Sequence, residues 1–142
     1  MDAYKVLLGE ILIQRKKITR EQLEWALQAQ KDNGGLIGEI LVDRGFLDER
    51  DVVVALVIQR GLPYIAVNKY IIDPWVVRLI PKEVAQKEKV IALDRIGEIL
   101  SVVMVNPLTD EKKKYLEALT KCRVVTFIST KSEIEEAIAR NY

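Results

Sequence analysis

Apolar positions in the first sixty residues recur at helical spacing, and they do so twice. Leu8, Ile11 and Leu12, then Leu23, Ala26 and Leu27, fall at i, i+3 and i+4, one face of an amphipathic helix in each case. Leu7 to Gln30 reads LLGEILIQRKKITREQLEWALQAQ, and Leu36 to Gln59 reads LIGEILVDRGFLDERDVVVALVIQ, an ungapped repeat at a constant offset of 29. Leu7/Leu36, Gly9/Gly38, Glu10/Glu39, Ile11/Ile40, Leu12/Leu41, Arg15/Arg44, Ala26/Ala55, Leu27/Leu56 and Gln30/Gln59 are identical pairs. Each copy predicts a helix, a turn and a second helix. Thr19 with Gln22 is a capping-box signal for the second helix of the first copy. Asp48 takes that cap in the second copy, and Gly45 closes the helix before it through a left-handed residue. Lys31 to Gly35 predicts a helix stop and tight linker, and Gly61 ends the last helix. Units of this size cannot bury their apolar faces alone, so the two copies must pack on one another.

Beyond Gly61 the period changes. Asp73-Pro74-Trp75 predicts a short capped helix, and Pro81 opens another. Val90 to Leu93 and Ile99 to Val105 are rich in β-branched residues and flank Asp94 to Glu98, which predicts a hairpin. Asp110 to Leu119 is a helical segment, Arg123 to Ile128 a third strand, and Thr130 with Glu133 caps a final helix. The fold class is α+β: a four-helix, paired-repeat subdomain over residues 1–61, then a small α/β subdomain over 62–142 in the order β-β-α-β-α, its helices on one face of a three-stranded sheet.

Composition narrows the chemistry. The chain has 142 residues, 49% hydrophobic and 30% charged, which suits one domain or two small subdomains with an ordinary core. Its net charge is +1, with no basic stripe to displace phosphate counterions. It has no histidine, which removes Ser-His-Asp and Cys-His catalysis, most zinc sites and the usual near-neutral base. Cys122 is the only cysteine and sits at the head of an apolar run, as a small buried hydrophobe would. No G-x-x-x-x-G-K-[ST], G-x-G-x-x-G or G-x-S-x-G motif occurs, and no catalytic or metal-ligating residues are proposed. The paired helices suggest a DNA-binding helix-turn-helix as a remote alternative, but Asp51 to Ile58 is almost wholly apolar and is expected to be buried. No apolar run reaches the roughly 20 residues that span a bilayer, and the N-terminus lacks a signal-peptide pattern, so a cytoplasmic protein is expected.

Two features of the repeat carry candidate function. Gly9 and Gly38 lie inside helical patterns, where glycine costs about 1 kcal/mol relative to alanine. Either close helix packing or approach of a ligand to the backbone accounts for the duplication. Gln30 and Gln59 close the second helix of each copy, where an amide satisfies helix-end carbonyls or hydrogen-bonds a flat polar ligand.

These residues resemble the N-terminal domain of type II secretion and type IV pilus assembly ATPases, the paired-repeat type that binds cyclic di-GMP. The family motif is R-L-G-x-x-L-x-x-x-G, six residues, then L-x-x-x-L-x-x-Q. Its positions here are Leu8, Gly9, Leu12, Leu23, Leu27 and Gln30 in the first copy, and Ile37, Gly38, Leu41, Gly45, Val52, Leu56 and Gln59 in the second. The resemblance extends through Leu79-Ile80-Pro81 and Asn106-Pro107-Leu108 to Tyr142. It implies a non-catalytic regulatory or docking domain for the cytoplasmic part of an inner-membrane platform protein, with the ATPase catalytic domain in cis or in trans. Contact with the membrane is then indirect, at the inner face of the inner membrane, and no nucleic acid polymer is a partner. The alternative it implies is a cyclic di-GMP sensor, with no other cofactor, using those motif residues. The motif's first arginine is Leu7 in one copy and Leu36 in the other, and its later glycine is Lys16 in the first copy. Arg15, Lys16 and Arg44 are then the nearby sources of positive charge.

Overall fold

The helix boundaries follow from capping chemistry repeated 29 residues apart. In the computed structural model, which describes the backbone from Ala3 and side chains from Leu8 onward, the first copy forms α1 (Ala3–Gln14) and α2 (Arg20–Asn33). The second forms α3 (Ile37–Asp43) and α4 (Glu49–Arg60). Thr19 accepts from the Gln22 N–H, and the Gln22 side chain accepts from the Thr19 N–H. Asp48 and Asp51 make the same reciprocal pair at α4. The chemistry persists although the residues differ, because both satisfy the same orphan donors. The helix stops repeat as well. After α1, the N–H of Lys16 donates to Ile13 and that of Lys17 to Leu12; after α3, Gly45 donates to Val42 and Phe46 to Leu41. This geometry needs one left-handed residue, which is Lys16 at φ 61° in the first copy and Gly45 at φ 83° in the second.

Met1–Gly61 and Leu62–Tyr142 are separate compact units. In the first, α1 packs on α4 and α2 on α3, so each pairing joins one copy to the other. Its interior holds Leu8, Leu12, Ile18, Leu23, Ala26, Ile37, Leu41, Leu47, Val53, Ala55 and Leu56. Two expectations need correction here. Lys31 to Asn33 belong to α2, which stops only at Gly34, because Gly34 is the first residue free of the helical φ restriction and its N–H closes on Gln30. The apolar run of α4 is not wholly buried: Val54 is 40% and Ile58 52% exposed. A helix packed along one side has an opposite face whatever its composition, and those two residues, one turn apart, occupy it.

In the second unit β1 (Val90–Ile96) pairs antiparallel with β2 (Ile99–Met104), and β2 pairs parallel with β3 (Arg123–Ile128). The helix α7 (Asp110–Thr120) forms the crossover between the parallel strands. The turn is tighter than expected: Asp94 to Ile96 stay in β1, leaving Gly97 at φ 61° and Glu98 as the hairpin loop. A bulge between Ala92 and Asp94 shifts the register by one residue, leaving Leu93 without a partner on β2. Leu100, Val102, Met104, Val90, Ala92, Val124 and Ile128 share one sheet face and are buried. On the other, Ile91 and Val103 are buried as well and Ile99 and Val125 are exposed, so cover is not confined to the one expected face. Three further helices are α5 (Pro74–Val77), α6 (Lys82–Glu88) and α8 (Lys131–Asn141), all packing against β1. As expected, Asp73 caps α5, Thr130 and Glu133 form a capping box on α8, and Cys122 is buried.

A strap of irregular chain, unpredicted from the pattern, runs beside β3. The N–H of Ile128 donates to Pro63, and that of Ile65 donates back to Ile128, extending the sheet by a bridge at Tyr64. A 3₁₀ turn, Val67–Lys69, follows. Buried Ser129 fixes it by accepting from the Val67 N–H (3.3 Å) and donating to the Ile65 carbonyl. The Tyr142 hydroxyl reaches the carbonyls of Ile80 (2.7 Å) and Val77 (3.1 Å), and burial pushes its pKa up to about 12.

The left-handed pair gives a direct stability test. Lys16→Gly relieves a conformation unfavourable to L-residues, and unfolding in denaturant should show stabilisation by about 1 kcal/mol, whereas Gly45→Lys should cost a similar amount. A stabilising Gly45→Lys would mean that the second helix stop does not persist in solution.

Candidate functional site

On α2, Trp25, Ala29 and Asn33 follow one another at i, i+4 and i+8, a stripe displaced from the core-facing Leu23 and Ala26. The C-terminal end of α3 supplies Ile40, Asp43 and Arg44 opposite them, with Gly34 at the end of α2. Together they line an open cleft of about 300 Å³ within the first unit. The Arg44 guanidinium lies 5.1 Å from the centre of the Trp25 ring and 6.0 Å from that of Phe46. The two rings meet edge to face, 5.7 Å apart at 78°. The indole face attracts the cation, and the edge-to-face arrangement sets the ring quadrupoles favourably. Such a cleft offers an exposed aromatic surface beside the Arg44 guanidinium, with the Asp43 carboxylate also on its wall. The ring and the guanidinium suit a planar anionic group.

The residues expected from the motif are placed elsewhere. Leu8, Gly9, Leu12, Leu23, Ile37, Gly38, Leu41 and Leu56 are buried, Leu27, Gln30, Val52 and Gln59 are half-buried, and Gly45 is exposed at its turn. None of them lines the cleft. Of the two leucines at the motif's arginine position, Leu36 is exposed at the N-terminus of α3, and the side chain of Leu7 lies outside the described residues. Gln30 donates to the Gly35 carbonyl at 2.9 Å, so its amide ties the end of α2 to the linker.

The duplicated glycines are occupied by packing. A Cβ on Gly9 would lie 2.5 Å from Leu23 Cδ1, and one on Gly38 would lie 2.8 Å from Val52 Cγ1. Leu23 and Val52 are themselves 29 positions apart, so the same helix contact is built twice. The neighbouring carboxylates diverge. Glu10 takes two 3.0 Å hydrogen bonds from the Arg20 guanidinium, which hold its carboxyl below the usual carboxylate range. The residue 29 positions beyond Arg20 is Glu49, and Glu39 Oε1 is a buried atom with no hydrogen-bond partner among the described residues.

Sequence periodicity missed Trp25, Ala29, Asn33, Asp43 and Phe46. The available signal was an aromatic residue on the polar side of α2, off the apolar stripe. Its pairing with Arg44 depends on how α2 and α3 meet, which periodicity does not encode.

The glycine contact predicts strong coupling. Gly9→Ala gains helix propensity of about 1 kcal/mol but overpacks against Leu23 by roughly 1–3 kcal/mol, giving net destabilisation. Leu23→Ala alone should cost about 2–5 kcal/mol. In the double variant the new methyl enters the vacated space, so its cost should fall below the sum of the two. An additive double-mutant cycle would refute the contact.

A model of the MshEN domain family matches residues 60–142, the second unit and the residues leading into it. The chain is 35% identical over 135 residues to the type IV pilus assembly ATPase PilB of Myxococcus xanthus, covering 95% of this chain and 24% of that protein. To the type IV pilus assembly ATPase PilB of Thermus thermophilus it is 34% identical over 137 residues, covering 95% of this chain and 15% of that protein. It thus spans under a quarter of the length of both relatives. Among solved structures it is similar to MshE with cdg, at a TM-score of 0.79 and 27% identity, covering 95% of this chain and 98% of that one. It also shares its fold with the N-terminal domain of XpsE, at a TM-score of 0.79 and 17% identity over 100% of this chain and 98% of that one. The resemblance drawn from the paired repeat therefore holds over both units, and with more than half of its residues inside the family model the chain belongs to the MshEN domain family.

Proposed function

We propose that this chain is a non-catalytic docking and regulatory domain of a type IV pilus or type II secretion ATPase, binding the cytoplasmic part of an inner-membrane platform protein. The observation that carries the reading is the outer face of α4. Val54 and Ile58 lie one turn apart and exposed, on a helix whose Val53, Ala55 and Leu56 are buried and whose Val52 and Val57 are half-buried. Apolar side chains at i and i+4 fit a partner helix laid along that face. The similarity to PilB supports a place within a pilus ATPase, whose catalysis would reside outside these residues. Val54→Asp with Ile58→Asp should leave the helical circular dichroism intact. Binding to the platform protein's cytoplasmic segment, read by calorimetry, should fall by at least about tenfold. Unchanged affinity would remove α4 from the interface, and absence of binding by the parent chain would sink the docking reading.

A second reading, a cyclic di-GMP sensor, is favoured by the Trp25–Arg44 cleft and by the likeness to MshE with cdg. A cyclic dinucleotide needs a stacking surface for a base and a guanidinium for phosphate or a guanine edge, and the cleft supplies both. Arg44 would then stand in for the motif arginine replaced by Leu36. Calorimetric titration with the nucleotide should give a binding isotherm that Arg44→Ala weakens roughly tenfold, the loss typical of a hydrogen bond to a charged group. Gln59→Ala separates the two placements: it weakens a ligand held over the motif residues of both copies and leaves one in the cleft, which Gln59 does not line, unaffected. No heat from folded protein at high micromolar nucleotide would reject the sensor reading.

A further inference from the structure

The two most exposed large apolar side chains among the described residues, Ile71 and Trp75, lie on neither the repeat nor the sheet. They project from the segment joining the strap to α5. Ile71 is fully exposed, Trp75 is 80% exposed and Tyr70 is 46% exposed. Between them Ile72 alone is buried and anchors the segment, with exposed residues on either side of it. The base is rigid. Asn68 Nδ2 donates to Glu136 (2.9 Å), Arg140 donates to the Asn68 carbonyl (2.6 Å), and Tyr64 donates to Glu133 (2.6 Å), which ties the strap to α8 at three points. On the other side Pro74 fixes the first turn of α5, and Asp73 caps it by accepting from the Trp75 N–H at 2.9 Å. These contacts fix both ends of the segment, which lowers the ordering cost of binding.

Cations outnumber carboxylates along the segment itself, while Glu133 and Glu136 lie at its base against Tyr64 and Asn68. Residues 62–82 carry Lys69, Arg78 and Lys82 against a single carboxylate, Asp73, which is engaged as the helix cap. Lys69 immediately precedes Tyr70, and Arg78 lies at i+3 from Trp75 on the turn that ends α5. All three cations are exposed and make no ion pair among the described residues. Exposed isoleucine and tryptophan side chains, with a tyrosine and these cations adjacent in sequence, are the residue types that a bilayer surface takes up. The apolar groups enter the acyl boundary, the aromatic rings sit at headgroup depth, and the cations meet anionic lipid. The side chains protrude as a knob, which suits a deformable phase. A second copy of the chain would bring the same positive charges together across a two-fold axis.

We infer that the Tyr70–Trp75 segment is a membrane-surface anchor, inserting Ile71 and Trp75 into the interface of an anionic bilayer, with Lys69 and Arg78 on lipid phosphates. This contact is direct, whereas the family resemblance implied only an indirect one. It concerns a different surface from the α4 face and stands or falls independently of platform docking.

Sedimentation of the intact 142-residue chain with vesicles tests it, comparing phosphatidylcholine alone with phosphatidylcholine mixed with phosphatidylglycerol. The chain should pellet with the anionic vesicles and far less with the neutral ones. Lys69→Gln with Arg78→Gln should lower the partition coefficient roughly 25-fold, since each cation near an anionic surface accounts for about fivefold. Ile71→Ser with Trp75→Ser should lower it by at least about tenfold. These side chains are exposed, so circular dichroism should report an unchanged fold in both. In a Trp25→Phe background, Trp75 emission should shift to shorter wavelength on adding anionic vesicles. Absence of pelleting, an unshifted emission, or a partition coefficient unchanged by Ile71→Ser with Trp75→Ser would each overturn the anchor. So would a dimer in solution that the same double variant dissociates.

Discussion

The first unit depends on one contact made twice: a helical glycine against the apolar side chain that opens the second helix of the same copy. Gly9 meets Leu23 and Gly38 meets Val52, at distances no Cβ would tolerate. Close approach of this kind gains dispersion contacts that a larger residue would forfeit by holding the helices apart. Each glycine gives up helix propensity to make it. Because the spacing is set identically in both copies, α1 can close on α4 and α2 on α3, and neither copy completes its interior alone. The repeat is thus a packing device before it is anything else.

That use of the motif changes where ligand chemistry can reside. Leucines that would cover a ligand fill the interior, and Gln30 spends a donor on the linker carbonyl. The groups left at the surface are different ones: Trp25 and Arg44 across the cleft, Val54 and Ile58 along α4, and Ile71 and Trp75 beyond the repeat. The same division appears in the carboxylates. Glu10 finds Arg20, whereas the second copy has Glu49 at the matching position, so duplication of sequence has not duplicated the electrostatics.

The second unit is organised by its sheet. One face is buried from Val90 across to Val124, the other is buried at Ile91 and Val103, and the parallel pairing of β2 with β3 requires the α7 crossover. The strap along β3 is held by Ser129, a buried hydroxyl serving one donor and one acceptor of the strap. It positions the turn from which the Tyr70–Trp75 segment projects.

Local chemistry was sufficient for most of the fold. Thr19 with Gln22, Asp48, Thr130 with Glu133, Asp73-Pro74 and Gly61 mark helix ends because caps satisfy backbone groups within a few residues, with no reference to the rest of the chain. The repeat itself, the α+β order and the three strands were legible for the same reason. Other features required the tertiary structure. Nothing local distinguishes Gln30 as a linker tie from Gln30 as a ligand group, or a packing glycine from one that admits a ligand; the neighbours Gly35 and Leu23 decide both. Val54 and Ile58 read as core because composition reports that a helix is apolar, not which side is covered. Trp25 and Arg44 lie nineteen positions apart and meet only because α2 packs on α3. Sequence by itself determined which elements form and the ends marked by a cap, since that energy is local, but not how far α2 and β1 continue. Which side chains face solvent, and which meet, was decided by packing between elements distant along the chain.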